Sequence, residues 1–291
     1  MKRILSLVLA VFMLCSCTVA LADSYDNSRV VIGADLSEAE VSQVYGIFGI
    51  KRGDVEELTV TNADEREYLD GLVDESIIGS RAISCIYIKA LDENKGLDVS
   101  VNNISWCTPE MYMNAMVTAG ITDADVTVAA PFSVSGTAAL TGIYKAYEDI
   151  TGTKLDDVAK AVGTQELTTT ADLAEDIGSD ESAAIVNDLK LIIDETAKMS
   201  DDELRQKIID IAAKYDVELT DAQISKLIEL CRSMEKLDVN QLKEKVENVQ
   251  QYLKGIIDNP SGIINFFRNI GNSLSGIIDA IIGFFQNLLE N

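Results

Sequence analysis

The chain contains no histidine. That absence removes Ser-His-Asp and Cys-His nucleophile activation, histidine general bases and every histidine-ligated zinc or iron site. Any catalysis has to rest on carboxylates, Lys, Tyr or a Ser–Lys pair. Basic residues are scarce as well: 24 Lys and Arg face 48 Asp and Glu, a formal net charge of −24 at pH 7. Acidity on that scale argues against nucleic acid as a partner and against electrostatic capture by anionic lipid, since both need basic patches. Beyond the first 22 residues the only cysteines are Cys85, Cys107 and Cys231. Their number is odd and their spacing matches no metal motif, so buried apolar roles are expected rather than a disulfide framework. No cofactor is expected.

What is present begins with an export signal. Residues 1–22, MKRILSLVLAVFMLCSCTVALA, carry two basic residues, an apolar stretch and a small-residue Ala20-Leu21-Ala22 site ahead of Asp23. This is the three-part layout of a secretory signal peptide. Cleavage after Ala22 and a secreted or envelope-associated product are expected. The alternative is a lipoprotein anchored at Cys17, because Leu14-Cys15-Ser16-Cys17 resembles a lipobox.

The remainder divides near residue 151. Residues 23–151 alternate β-type and helix-type patterns, in the order β-α-β-(α)-β-β-α-β-α. The short apolar run Arg29–Gly33 suits a buried strand. Ser37-Glu-Ala-Glu40 is a capping box ahead of Val41, Val44, Tyr45 and Phe48 at helical spacing. Asn62-Ala-Asp-Glu65 reads as the cap of a short acidic helix with a solvated face. Two strand candidates, Arg81–Leu91 and Leu97–Ile104, are joined by DENKG and suggest a hairpin. These signals predict an α/β or α+β domain, a mixed sheet sandwiched between helices. Residues 152–258 read as an all-α helical domain, with capping boxes at Ser200–Glu203 and Thr220–Gln223 and a variant at Asp238–Gln241.

Residues 259–291 read as an amphipathic helical tail. From Val239 to Leu288 apolar residues recur at alternating steps of three and four, interrupted at Pro260. The apolar arc is wider than a coiled-coil seam. Three roles fit it: folding back on the helical domain, self-association or a partner helix through residues 239–288, or contact with a membrane surface by residues 260–291. The shortage of Lys and Arg in the tail disfavours the last.

Site candidates gather around residues 126–142, VTVAAPFSVSGTAALTG. The cluster lacks the Lys of a P-loop and the leading Gly of a G-x-S-x-G elbow. It reads first as a strand turning into a helix capped by Ser133 or Ser135. The functional reading is a ligand crevice at strand ends, where Gly33, Ser135, Gly136 and Thr137 would contact a ligand. Asp35 with Ser133 or Ser135 are its candidate catalytic groups. Asp92, Asn94 and Asp98 around Gly96 faintly resemble a Ca²⁺ loop, although a turn explains them equally. Trp106, the only tryptophan, reads as core packing at the sheet edge or as a ligand platform.

The stretches VTNADEREYLDG, IGSRAIS, ISWCTPEMYMNAMVTAG and ADVTVAAPFSVSGTAALTGIYKAYE resemble the domain-of-unknown-function 1002 family, the YpuA-like exported proteins of Gram-positive bacteria. The resemblance covers roughly residues 23–255, leaving the tail as an addition. It implies export and one fold across both halves, and it transfers no catalytic residue onto this chain. The expected function is therefore a non-catalytic binding or interaction module at the cell surface. The alternative is a carboxylate- and serine-based hydrolase acting on an extracellular or cell-wall substrate. Intact-mass analysis of protein from the culture medium should give a chain beginning at Asp23; a diacylated species beginning at Cys17 would select the lipoprotein instead.

Overall fold

The structure, a computed structural model, describes residues 27–69 and 75–247. The signal segment with Cys17, the tail 259–291 and the apolar stripe beyond residue 247 lie outside the described residues. The N-terminal half runs β1 (Ser28–Gly33), α1 (Glu38–Phe48), β2 (Glu56–Val60), α2 (Asn62–Leu69), α3 (Glu75–Ile78), β3 (Cys85–Ala90), β4 (Leu97–Ile104), α4 (Pro109–Ala119), β5 (Ala124–Val134) and α5 (Thr137–Thr151). The helical half follows with α6 (Asp157–Ile177), α7 (Ser179–Leu191), α8 (Ile193–Thr196), α9 (Asp201–Ala213) and α10 (Asp221–Met234). Residues 239–247 are helical as well.

The five strands form one mixed sheet in the order β2-β1-β3-β5-β4. β1-α1-β2 and β4-α4-β5 are each a parallel pair with a helical crossover, and β3 joins them antiparallel to both β1 and β5. The hairpin expected between β3 and β4 is absent: β5 lies between them. Burial explains the placement. Val126, Val128, Ala129 and Ala130 of β5 are fully buried, as a central strand requires. β4 alternates buried Leu97 and Val99 with half-buried Asp98 and Ser100, which suits an edge. Asp123 ties the DENKG turn to the start of β5, accepting from the Lys95 and Gly96 N–H groups at 2.7 and 2.8 Å.

Alternation along the strands gives the sheet two apolar faces. Val30, Ile32, Cys85 and Ala129 pack under α1 through Val41, Val44, Tyr45 and Phe48. Val31, Ile86, Ile88, Val126 and Val128 face the other way, into a core shared with α4, α5 and the helical half. Gly152, the left-handed C-cap of α5, marks the passage into the helical half, yet the core continues across it. The capping boxes at Ser37, Ser200 and Thr220 form reciprocally. Asp238 accepts from the Asn240 and Gln241 N–H groups. In the helix that follows, Leu242 and Val246 pack into the chain's own core. The three cysteines are buried and unbridged.

A buried ion pair ties the two halves together. Lys190 on α7 and Glu166 on α6 are at most 1% exposed, with Nζ 2.8 Å from Oε1. Lys190 also donates to the Asn114 carbonyl of α4 at 3.0 Å, and Thr118 of α4 donates to the second Glu166 oxygen. Burial pushes the Glu166 carboxyl above its usual range despite the opposing pull of Lys190 and Thr118. Lys190→Met should cost about 3–5 kcal/mol in urea unfolding by stranding a buried carboxyl. The double variant Lys190→Met/Glu166→Leu should regain at least half of that loss.

Candidate functional site

Where β5 ends and α5 begins, the chain lines one wall of a crevice of about 210 Å³. Ser135, Gly136, Thr137 and Ala138 form that wall, and Gly79 to Arg81, Ile83 and Ser84 form the other. Glu65 of α2 also lines it. The expected serine cap is not there. The N-cap is Gly136, with no side-chain cap bond, and Ser135 Oγ instead donates to the Ile77 carbonyl at 3.1 Å. Ser133 is exposed. Glycine is required at 136 on two counts: φ is +99°, and a Cβ would lie 2.5 Å from Tyr112 Oη and 2.6 Å from Ile104 Cγ2. Tyr112 donates to the Gly136 carbonyl at 2.6 Å and locks that turn. Among the described residues the α5 N-terminus therefore has no side-chain cap, and its first residues line the crevice.

Glu65 is a candidate site residue that the sequence pattern hid. The reciprocal cap of α2 is Thr61 with Asp64, one residue earlier than Asn62 with Glu65. A one-residue shift turns each side chain by about 100° around the axis. Glu65 thereby points inward, is only 1% exposed, and accepts a short hydrogen bond from Thr137 Oγ1. The solvated face expected for it belongs to its neighbours. Burial raises its carboxyl to about 7, against the stabilising contacts of Thr137, Asn62 and Arg66. The cue lay in Thr61-x-x-Asp64, which competes with the Asn62 pattern in the same stretch.

The remaining candidates sit apart from the crevice. Asp35 Oδ2 accepts from the Ala82 N–H at 2.8 Å, and its carbonyl accepts from Arg81 at 2.7 Å. A Cβ on Gly33 would lie 2.3 Å from the Ala82 carbonyl oxygen, so glycine there serves close packing. Arg81, Ile83 and Ser84 line the crevice, while the main chain of Ala82 exchanges hydrogen bonds with Asp35. Gly33 and Asp35 are thus not among the residues that line the crevice. Asp92 and Asn94 are exposed in the turn, where Asn94 has φ +65°. Asp98 lies beside Asp125 in register, and burial together with that charge raises it to about 6. Among the described residues no three of His, Cys, Asp or Glu gather at a metal-binding spacing. Trp106 packs partly against the core and donates to Glu175 at 2.7 Å. A larger cleft of about 440 Å³ lies near Lys154, Lys236 and Lys245. Its buried hydroxyl, Thr118, is already bonded to Glu166.

Comparison with known proteins matches residues 32–252 to the family described as protein of unknown function (DUF1002). The chain belongs to this family. It is also 37% identical over 287 residues to a protein named "Uncharacterized protein YpuA" from Bacillus subtilis (strain 168), covering 96% of this chain and 97% of that protein. An alignment of that extent takes in part of the segment beyond residue 260, so the tail is not an addition relative to this relative. No solved structure matches the chain. Among the described residues no helix is long and apolar enough to cross a membrane.

The raised Glu65 carboxyl has a sign that can be measured. Its folded value, about 7, lies above the ordinary 4.5. Its contribution is therefore complete below about pH 4.5 and is lost as the pH rises through 7. Glu65→Gln keeps an acceptor for Thr137 and carries no charge. It should match the parent near pH 4 and exceed it by roughly 2–3 kcal/mol at pH 8, read from urea unfolding at the two pH values.

Proposed function

We propose that this chain is an exported, non-catalytic binding module that works at the cell surface and takes its ligand in the crevice between residues 79–84 and 134–138. One observation carries the reading: the serine and carboxylate that a hydrolase would need are each bonded to main chain. Ser135 holds the Ile77 carbonyl, and Asp35 holds the Ala82 N–H outside the crevice lining. A nucleophile needs its base within about one hydrogen bond or one water. The leader-like N-terminus and the net charge of −24 suit an exported chain.

A hydrolase reading survives in one altered form. Glu65, with its carboxyl near 7, reaches Ser135 through Thr137, whose Oγ1 lies 3.4 Å from Ser135 Oγ. A carboxyl titrating near neutrality is suited to acid–base work. The substrate would then be an extracellular or cell-wall polymer.

The two readings separate in one experiment. The mature chain is incubated with washed Gram-positive cell walls; the pelleted protein and the newly released soluble amines and reducing ends are both measured. The binding reading expects retention without release, and Ser80→Trp at the crevice mouth should abolish retention. Release that disappears in both Ser135→Ala and Glu65→Gln would establish the hydrolase instead.

A further inference from the structure

The crevice holds more unsatisfied donors than its architecture needs. Among the described residues the main-chain N–H groups of Thr137 and Ala138 meet no acceptor, being the first of α5 with no capping side chain. Ser84 is a second, independent observation. Its side chain is 3% exposed and lines the crevice, yet among the described residues its hydroxyl has no hydrogen-bond partner. Its oxygen opens onto the crevice rather than being sealed from it, so an acceptor that enters the crevice can reach it. Arg81 stands at the rim with a guanidinium donating to the Asp35 carbonyl. A hydroxyl and a helix N-terminus with free main-chain donors therefore meet at one small volume within a chain of net charge −24.

We propose that the crevice binds a small oxyanion, a carboxylate or phosphate group, on the Thr137 and Ala138 N–H groups with the Ser84 hydroxyl as third donor. This assignment names the ligand class for the binding-module reading and rests on it. A helix N-terminus offers fixed N–H donors and a favourable dipole to such a group.

Glu65 sets the condition for occupancy. In its neutral form it is compatible with an anion in the same crevice; once ionised it repels one. The charged and titratable groups around it are Arg66 on its own helix, Arg81 across the crevice, and Cys107 and Tyr112. Burial holds the Cys107 thiol at about 12 and the Tyr112 phenol well above its usual value. Glu65 is the member of this set that titrates near neutrality, so anion binding should weaken through pH 7.

The test is an amide ¹H–¹⁵N titration of the full mature chain with sodium acetate and, separately, with inorganic phosphate. Acetate stays ionised from pH 5.5 to 8 and isolates the protein's own titration. The expected result is a saturable shift at Thr137 and Ala138, with acetate affinity about tenfold weaker at pH 8 than at pH 5.5. Ser84→Ala should weaken it about tenfold, and Glu65→Gln should bind with little pH dependence. The tighter of the two anions identifies the source group. Absence of a saturable shift with either anion, or shifts that Ser84→Ala leaves unchanged, would overturn the oxyanion site. Wall retention persisting without anion binding would remove this ligand class alone. Release of wall products would remove the non-catalytic reading whatever the anion result.

Discussion

The Glu166–Lys190 pair is the contact on which the two halves of the molecule depend. Neither charge reaches solvent, and each is held by groups from a different helix: Asn114 and Thr118 on α4, Glu166 on α6, Lys190 on α7. Two ions withdrawn from water tolerate little displacement, because their attraction offsets desolvation only at close approach and with the remaining valences satisfied. The pair therefore sets how α6 and α7 sit against α4, and α4 in turn covers one face of the sheet. Around it the apolar core runs without interruption from Val31 and Ile86 in the sheet to Leu227 and Met234 in α10.

The same face of the sheet fixes the crevice. α5 crosses β1 and β3 closely enough that a Cβ at Gly142 would touch Val31 and Ile86. Its start is pinned by the Tyr112 bond to Gly136. With the helix anchored at both points, its N-terminus lines the crevice with Ser84 and Glu65, and among the described residues no side chain caps it. Polar groups at such a place are usually satisfied by the fold itself. Here Thr137 donates to Glu65, while among the described residues the Ser84 hydroxyl and the first two α5 N–H groups have no partner.

Much of this architecture was legible from local pattern. The strands, the helices and their order follow from periodicity and from capping boxes whose partners lie three residues apart, as at Ser37, Ser200 and Thr220. Two readings missed for one reason: the deciding partner was distant in sequence. The β3–β4 hairpin gave way because β5, some 20–40 residues onward, is the more apolar strand and claims the central place. Glu65 looked like one of several acids on a polar helix. Its burial came from Thr137, with a sequence separation of 72, and from a cap displaced by one residue.

The sequence by itself determined the excluded chemistry, the element types and the family. Composition and short-range spacing carry all three: no histidine means no histidine-based catalysis, and caps and apolar periods act over a few residues. Strand order, the inward turn of Glu65, the absence of Asp35 from the crevice lining, and a Ser84 hydroxyl without a partner among the described residues were decided only by tertiary structure. Each depends on which distant groups reach the same small volume. Burial and the pairing of polar groups there are properties of the packed chain, not of any local segment.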